Sequence, residues 1–335
     1  MEQSCESASK TTVQSRSCSR PTIGRPVSEG RSGLLPYLAF AALGLIWGAS
    51  FLFIKLGVQD MSPTVLVLIR AGSGALTLAV IMRAMGRPLL GEKWRSRLAA
   101  FTFMAVANAL LPWVAIAWGE QHISTGLASV LNATTTLWAA IFIYWVIPAE
   151  RPSLLNYVGV LVGISGVAIL VFPDLATHGL SGNVVGVLAV LVASISYAVS
   201  ALFQRTKMRG MNVYEQSFGQ LFVTSILALP IAAPALPQVH LAVLSMAAVI
   251  ALGVAGSGVA YLLYYYTMNT LGPVRATGVT FVVPITAVFW GVVLLREVLT
   301  TPIIVGMLVI LVGIVLTNLR TSKRGQASAK EPAAA

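Results

Sequence analysis

The chain contains a run of 59 consecutive residues, Gln216–Val274, without a single Asp, Glu, Lys or Arg. As one α-helix this run would be roughly 90 Å long, about three times the hydrocarbon thickness of a bilayer. It must therefore fold back on itself. The prolines Pro230, Pro234 and Pro237 mark where the helix would break, because proline lacks the backbone donor that a helical turn needs. The run predicts more than one membrane span.

The composition of the whole chain supports this interpretation. Charged residues make up 10% of the 335 residues and hydrophobic residues 57%, whereas about 25% of an ordinary soluble domain is charged. The apolar segments are long enough to cross a bilayer with some tilt. The sequence therefore predicts an all-α membrane protein with ten transmembrane helices, at approximately 34–55, 63–83, 98–118, 123–147, 154–172, 183–204, 214–233, 241–268, 274–295 and 302–319.

The basic residues are distributed unevenly over the predicted loops. With the N-terminus in the cytoplasm, 19 of the 22 Lys and Arg residues fall on cytoplasmic segments, and the others are Lys55, Arg70 and Arg296. Cytoplasmic loops of membrane proteins carry such an excess of positive charge. We therefore expect a multi-pass protein of the cell (inner) membrane with both termini cytoplasmic. The net charge of +11 then reflects topology and lipid contact, not nucleic-acid binding.

Both ends of the chain are polar. Residues 1–33 are rich in serine and have no apolar core of a signal peptide, so they are expected to form a disordered cytoplasmic tail. Residues 320–335 form a second cytoplasmic tail. Both cysteines, Cys5 and Cys18, lie in the first tail, so no disulfide is expected in the folded part.

The chain also contains an internal repeat. With a shift of 150 positions, LIWGASFLFIK (45–55) aligns with ISYAVSALFQR (195–205), and the later matches follow in order at a shift of 147–148. The pairs include Trp47–Tyr197, Ser50–Ser200, Arg70–Gln220, Glu150–Glu297 and Gly166–Gly313. The repeat predicts two five-helix units, at residues 34–173 and 183–319. Because five is an odd number, the two units cross the bilayer in opposite senses, as inverted repeats do in many secondary transporters.

Four stretches resemble the EamA-type proteins of the drug/metabolite transporter superfamily. They are the WGASF-like start of the first span, Arg70 seven residues after Pro63, ASVLNATTTLWAAIF (128–142) and VTFVVPITAVFWGVVLLREVLT (279–300). The resemblance implies a ten-helix bundle of two five-helix repeats with a central cavity lined by spans one, three, four, six, eight and nine. It also implies passage of small metabolites, most often outward and either energy-independent or coupled to an ion. Thr136 departs from the family, which usually has proline there.

Arg70 lies within a predicted span, where an arginine is costly unless it faces a partner or water. One interpretation is capture of an anion or carboxylate inside a cavity. The alternatives are a structural ion pair with Asp60 or Glu120, or snorkelling of the side chain to the headgroups.

Trp47, Ser50 and Ile54 share one face of the first span, and Tyr197 and Ser200 repeat the pattern in the sixth. Such a face either lines a cavity or seals a contact between helices, as serine commonly does.

A third group comprises Asn132 and Trp138 in span four, Tyr264 in span eight and Pro284 in span nine. Pro284 leaves a backbone carbonyl unpaired, and such groups are tolerated at membrane depth where they line a cavity. Interhelical hydrogen bonding is the alternative for Asn132, and an interfacial anchor is the alternative for the tyrosines near Tyr264.

Several charged residues fall at the ends of predicted spans. Lys55 is expected to snorkel to the outer interface, and Glu120 to be a solvated loop charge, with proton coupling as the alternative. Glu150 and Glu297 are expected to cap neighbouring helices.

The sequence contains no motif for catalysis or for a metal. It has no GxxxxGK[ST] and no HExxH, and its three histidines are scattered. We therefore expect no enzyme activity, no cofactor and no metal site. An intramembrane enzyme or a membrane scaffold are the alternative classes. The expected partners are the lipid bilayer and a small-molecule substrate, and the resemblance leaves a coupling ion open.

The residue types favour one class of cargo. Aromatic rings, hydroxyls, an amide and Arg70 suit a small amphipathic metabolite with a carboxylate, such as an amino acid. A lipophilic cation, the competing cargo, would need an intramembrane carboxylate to offset its desolvation.

The charge distribution makes a topology prediction. A reporter domain fused after Pro234 should lie outside the cytoplasm, since the loop that follows span seven carries no basic residue. Protease accessibility in spheroplasts checks the position of the reporter, and a cytoplasmic reporter would contradict the predicted orientation.

Overall fold

The computed structural model describes residues 34–147, 153–178, 183–240, 242–271 and 278–318. Every regular element in these ranges is helical, and no strand occurs in them. The predicted tails, residues 1–33 and 320–335, lie outside the described residues, as do Cys5, Cys18 and Glu150.

Ten helices make up the described part of the chain, and each coincides with one predicted span. Two of them, α3 and α8, contain a π-helical segment. The helices are α1 (Leu34–Gly57), α2 (Pro63–Ala84), α3 (Trp94–Gly119, π-helical over Val106–Leu110), α4 (Thr125–Val146), α5 (Leu154–His178), α6 (Asn183–Lys207), α7 (Val213–Ala232, then a 3-10 turn Ala233–Gln238), α8 (Val243–Ala251, π-helical Leu252–Val259, then Ala260–Leu271), α9 (Val279–Leu295) and α10 (Thr301–Asn318).

Polar caps begin three of these helices. Ser62 accepts a hydrogen bond from the Val65 amide at the start of α2, and Ser124 accepts one from the Leu127 amide at the start of α4. The Asn212 side chain accepts a hydrogen bond from the Tyr214 amide at the start of α7. Each cap satisfies one of the backbone donors that a helix leaves unpaired at its N-terminus.

Helix α4 is interrupted at Thr134, although this part of the chain contains no proline. The hydroxyls of Thr134, Thr135 and Thr136 each donate to the carbonyl three residues earlier. Such bonds compete with the regular helical pattern and bend helices. The carbonyl of Leu131, next to this interruption, also accepts a hydrogen bond from Ser194 of α6 (2.9 Å).

The principal helix contacts form a regular set. Helix α1 packs on α8 and α9, α2 on α7 and α8, α3 on α6 and α7, α4 on α6 and α9, and α5 on α10. Replacing each helix by the one five places away in the chain returns the same set of pairs.

The closest of these contacts, between α5 and α10, depends on glycine. A Cβ atom added to Gly313 would lie 2.5 Å from the backbone nitrogen of Gly163 and 2.7 Å from the carbonyl oxygen of Gly159. Glycines allow two membrane helices to approach so closely, and here Gly159 and Gly163 of α5 lie against Gly313 of α10.

The surface of the bundle is apolar. Leu161, Phe172 and Val243 are exposed to 68%, 69% and 85%, whereas polar side chains such as Ser200 and Gln220 are buried. Eight of the described helices are long and apolar enough to cross a membrane, and Val279–Leu295 and Thr301–Thr317 are shorter apolar helices. This distribution is the one expected of a protein whose solvent is lipid.

Gly313→Ala should destabilise the protein. The new methyl group would meet backbone atoms that cannot move aside, and such overpacking costs about 1–3 kcal/mol. Thermal unfolding of the purified protein in detergent measures the effect.

Gly72→Ala in α2 is the matched control, because an added Cβ at Gly72 meets nothing within 4 Å. It should be neutral, or stabilising by up to about 1 kcal/mol, since alanine is the better helix former. Equal unfolding temperatures for the two variants would contradict the close α5–α10 contact.

Candidate functional site

Arg70 of α2 is buried in the middle of the bundle, with 8% of its surface exposed. Its Nε donates a hydrogen bond to the Ser257 hydroxyl of α8 (3.1 Å), and its Cζ lies 3.7 Å from the centre of the Trp113 ring of α3. The ring face attracts a cation, and this attraction is strongest where water is excluded. Arg70 is therefore held inside the protein and does not snorkel.

No described carboxylate pairs with this guanidinium. The described residues contain one ion pair, between Arg97 and Glu215, which lies elsewhere. Asp60 accepts a hydrogen bond from the Ser245 hydroxyl, and the oxygens of Glu120 have no hydrogen-bond partner among the described residues. The two structural ion pairs considered for Arg70 are thus wrong.

A second polar group surrounds Asn108 of α3. The Asn108 amide donates to Gln220 Oε1 of α7 (3.2 Å), and Asn108 Oδ1 accepts from the Ser200 hydroxyl of α6 (2.8 Å). The Tyr261 hydroxyl of α8 lies within reach of the side chains of both Asn108 and Gln220. Tyr261 and Tyr197 are also close enough to Arg70 for electrostatic interaction, so the two groups form one central polar cluster.

The two hydrogen bonds at the heart of this cluster have related positions in the chain. Gln220 lies 150 positions after Arg70, and Ser257 lies 149 positions after Asn108. The Arg70–Ser257 bond joins α2 to α8, and the Gln220–Asn108 bond joins α7 to α3. The two bonds therefore join equivalent positions of the two sequence repeats.

Both bonds involve a residue in a π-helical segment. Asn108 lies in Val106–Leu110, and Ser257 lies in Leu252–Val259. The wider π turn leaves carbonyls that accept hydrogen bonds from other helices. The carbonyl of Ala107 accepts from the Ser196 hydroxyl (2.7 Å), and that of Gly256 accepts from Trp47 Nε1 (3.3 Å). Single π turns within α-helices occur frequently at functional sites.

Trp47 and Ser50 lie beside the π-helical segment of α8. The Trp47 ring is 5.5 Å from that of Tyr264, and the Ser50 hydroxyl donates to the Ile46 carbonyl (3.1 Å). A Cβ atom on Gly256 would lie 2.9 Å from this hydroxyl oxygen. The structure thus brings Trp47, Ser50 and Tyr264 together along α8, next to the cluster around Arg70.

Among the described residues, Asn132, Trp138 and Pro284 make no hydrogen bond or ring contact with Arg70 or Asn108. Pro284 is buried in α9. The Asn132 Oδ1 and Trp138 Nε1 atoms of α4 are buried without a hydrogen-bond partner among the described residues.

Charged residues converge where α1, α3 and α9 end, which we name the Lys55 end of the bundle. The Lys55 ammonium donates to the carbonyls of Glu120 and Ile123 (2.9 Å to Ile123) and is half-buried. The Glu297 carboxylate accepts hydrogen bonds from the amides of Thr125 (2.7 Å) and Gly126 (3.2 Å), at the start of α4. Glu297 therefore caps α4 as predicted.

Two expectations for the Lys55 end were wrong. Lys55 is tied to the turn between α3 and α4 instead of extending freely to headgroups. Glu120 is fully buried and is not a solvated loop charge. Its position directly after the last residue of α3 gave no sign of this, because burial of the turn depends on α1 folding against it.

An apolar cleft of about 330 Å³ lies near the other end of α3, α4 and α6. Apart from Thr206 and Lys207 its lining is apolar, and it contains none of the predicted site residues. It is distinct from the central cluster.

Several members of the central cluster are not predicted by the sequence pattern. Asn108, Trp113 and Ser257 were not singled out, and Gln220 appeared only as the counterpart of Arg70. A signal was available, because Asn108 and Ser257 are polar residues at equivalent positions of the repeat within charge-free spans. The π turns that direct them inward have no signature in the sequence.

A bundle of apolar helices with an apolar surface and a polar interior defines a class, the polytopic membrane proteins. The model of the EamA-like transporter family matches residues 34–172 and again residues 184–319. The chain therefore belongs to the EamA-like transporter family, which makes it a multi-pass membrane transporter and not an enzyme.

Relatives span almost the same length. The uncharacterized inner membrane transporter YedA of Escherichia coli (strain K12) is 28% identical, over 85% of this chain and 92% of the relative. A probable terminal-alkyne amino-acid exporter of Streptantibioticus cattleyicolor is 27% identical, over 84% of this chain and 93% of the relative. A solved crystal structure shares the fold with a TM-score of 0.62 at 18% identity, over 88% of this chain and 99% of that chain.

Gly256→Ala should destabilise the contact between α1 and α8. The added methyl would press on the Ser50 hydroxyl, and overpacking of this kind costs about 1–3 kcal/mol. The double variant Ser50→Ala/Gly256→Ala removes the hydroxyl and should recover most of the loss. Unfolding temperatures of the three variants in detergent measure this, and no recovery in the double variant would contradict the close approach.

Proposed function

We propose that this protein exports a small metabolite with a carboxylate group, in particular an amino acid, across the cytoplasmic membrane. The observation that carries the proposal is the buried guanidinium of Arg70, which has a hydroxyl and an aromatic ring as partners but no described carboxylate. An arginine at membrane depth normally pairs or faces a cavity. A substrate carboxylate would supply the missing charge, and charge-assisted hydrogen bonds of this type are strong.

One relative supports the choice of cargo. The Streptantibioticus cattleyicolor protein is named as a probable terminal-alkyne amino-acid exporter, and its similarity extends over most of both chains. The outward direction also follows from the family resemblance.

The architecture that we propose for this function is a pair of inverted five-helix repeats, at residues 34–173 and 183–319, with both termini cytoplasmic. The family model matches each half separately, and the principal helix contacts are unchanged when the halves are exchanged. The counterpart bonds Arg70–Ser257 and Gln220–Asn108 add support. Inverted repeats place the substrate between them and expose it alternately to each side.

The other predicted residues would contact the rest of the substrate. Trp47, Tyr264 and Tyr197 offer aromatic surface beside Arg70, and the hydroxyls of Ser50 and Ser200 line the same region. The unsatisfied polar atoms of Asn132 and Trp138 offer one acceptor and one donor on α4. Pro284 would shape α9 opposite α1.

Efflux of a lipophilic cation is the competing function, and one observation favours it. The buried carboxylate of Glu120 is an acid that could offset the desolvation of a cation. It lies beside Lys55, however, which already supplies a positive charge there.

Arg70→Gln should abolish protection by the overexpressed protein against toxic amino-acid analogues. Hydrogen bonds to charged groups are worth about 1.5–3 kcal/mol, so the affinity should fall roughly tenfold or more. Growth inhibition in cells, and counterflow of labelled amino acids in proteoliposomes, measure the loss.

Arg83→Gln is the matched control, because it removes an exposed arginine from the same helix. It should retain transport. Protection against quaternary ammonium dyes alone, unchanged by Arg70→Gln, would refute the carboxylate proposal and favour the cationic cargo.

A further inference from the structure

Glu120 has a buried carboxyl group that no described side chain binds. Its exposed fraction is 0%, and neither side-chain oxygen has a hydrogen-bond partner among the described residues. An ionised carboxylate is very costly in such a place, whereas a protonated one costs far less. The geometry thus points to a group that exchanges a proton.

The charged neighbours of Glu120 are engaged elsewhere. The Lys55 ammonium donates to backbone carbonyls of the α3–α4 turn, and the Glu297 carboxylate accepts from backbone amides at the start of α4. These two opposite charges are each stabilised by helix ends. Neither one forms an ion pair with the Glu120 side chain.

Arg70 is a third described charge that acts on Glu120. The groups that influence Glu120 from the elements around it are Lys55 of α1, Arg70 of α2 and Glu297 of the α9–α10 connection. Arg70 has no described counter-ion, so an ionised Glu120 and a bound anion would both offset the same positive charge.

We propose that Glu120 is the proton-binding residue of the transport cycle and that its proton is linked to the anion at Arg70. Glu120 carries a proton while an anion occupies Arg70. When the anion leaves, the O–H bond of the carboxyl group breaks, its electron pair stays on the carboxylate, and the proton passes to water at the Lys55 end. The link to an anion rests on the proposed function, whereas the proton site itself does not.

This linkage is reciprocal. If a bound anion raises the proton affinity of Glu120, then protonation of Glu120 raises the affinity for the anion by the same factor. Acid conditions should therefore favour the occupied state, and loss of the proton should favour release.

The first test needs no substrate. Burial raises the pKa of Glu120 well above its usual range. The positive charge of Lys55 lowers this pKa, and the negative charge of Glu297 raises it further. The unfolded chain loses this proton near pH 4.3, about the value of a free glutamate. Between that pH and the folded pKa the folded state binds more protons, so its stability falls as the pH rises.

The unfolding equilibrium constant should thus increase by up to about tenfold per pH unit over this window. Thermal unfolding of the full-length protein in detergent at pH 5 to 8 measures this. Glu120→Gln should remove most of the slope. Glu92→Gln, which removes an exposed carboxylate from the α2–α3 loop, should leave the slope unchanged. Equal slopes for the wild type and Glu120→Gln would overturn the proposal.

If Glu120→Gln does not fold, infrared spectra of the wild type and of Glu120→Asp test the protonation of Glu120 instead. The wild type at neutral pH should show the C=O band of a protonated carboxylic acid, and Glu120→Asp should shift it. A wild-type spectrum without the band would also overturn the proton site.

The second test examines the linkage with acetate as the probe anion. Adding acetate at constant ionic strength to weakly buffered protein should cause proton uptake, which a pH-sensitive dye reports. Both Glu120→Gln and Arg70→Gln should abolish the uptake. Proton uptake that survives Arg70→Gln would refute the linkage between the proton site and the anion site. The pH dependence of unfolding would then be the test of Glu120 as the proton site.

Discussion

The burial of one guanidinium in an apolar bundle is the constraint on which much of this structure depends. Arg70 cannot reach water from the middle of α2, so its stabilisation must come from within the protein. Ser257 and Trp113 supply part of it, and they require α8 and α3 to approach α2 closely. Gly74 makes room for that approach, because an added Cβ there would lie 3.1 Å from the carbonyl of Gly253.

The two π-helical segments, one in each half of the chain, meet the same physical requirement, which is that backbone carbonyls inside the bundle need hydrogen-bond partners. At membrane depth, a backbone carbonyl without a hydrogen-bond partner costs on the order of several kcal/mol of free energy. The π turns of α3 and α8 release carbonyls, and side chains of α6 and α1 pair with them. The same turns direct Asn108 and Ser257 towards Gln220 and Arg70. Local distortion of two helices thus adds backbone carbonyls and two polar side chains to the interior of the bundle.

Much of the fold could be predicted from the sequence because lipid imposes simple rules. Charge-free runs, the distribution of basic residues and the repeat gave ten spans that each coincide with a described helix. The capping role of Glu297 was also predictable, since its place in the repeat and next to a helix end is visible in the chain.

The site was harder to predict, for physical reasons. Asn108 reaches Gln220 from a π-helical segment of α3, and no residue type forces that change from regular α-helical geometry. The interruption of α4 lies at Thr134, whereas a proline would have been the usual signal. Glu120 looks like a loop residue in the sequence, and only the packing of α1 against the α3–α4 turn removes it from solvent.

Different interactions stabilise the two ends of the bundle. At the Lys55 end, charged side chains bind backbone groups at helix ends, so that Lys55 and Glu297 each hold a turn without pairing with one another. Near the start of α3, Arg97 pairs directly with Glu215 of α7 (2.8 Å), and the Arg97 side chain is 32% exposed. The Glu215 side chain is only 10% exposed, so this ion pair is part-buried. At the Lys55 end these bonds to backbone groups lie beside the buried carboxyl of Glu120, so we expect them to respond to its protonation.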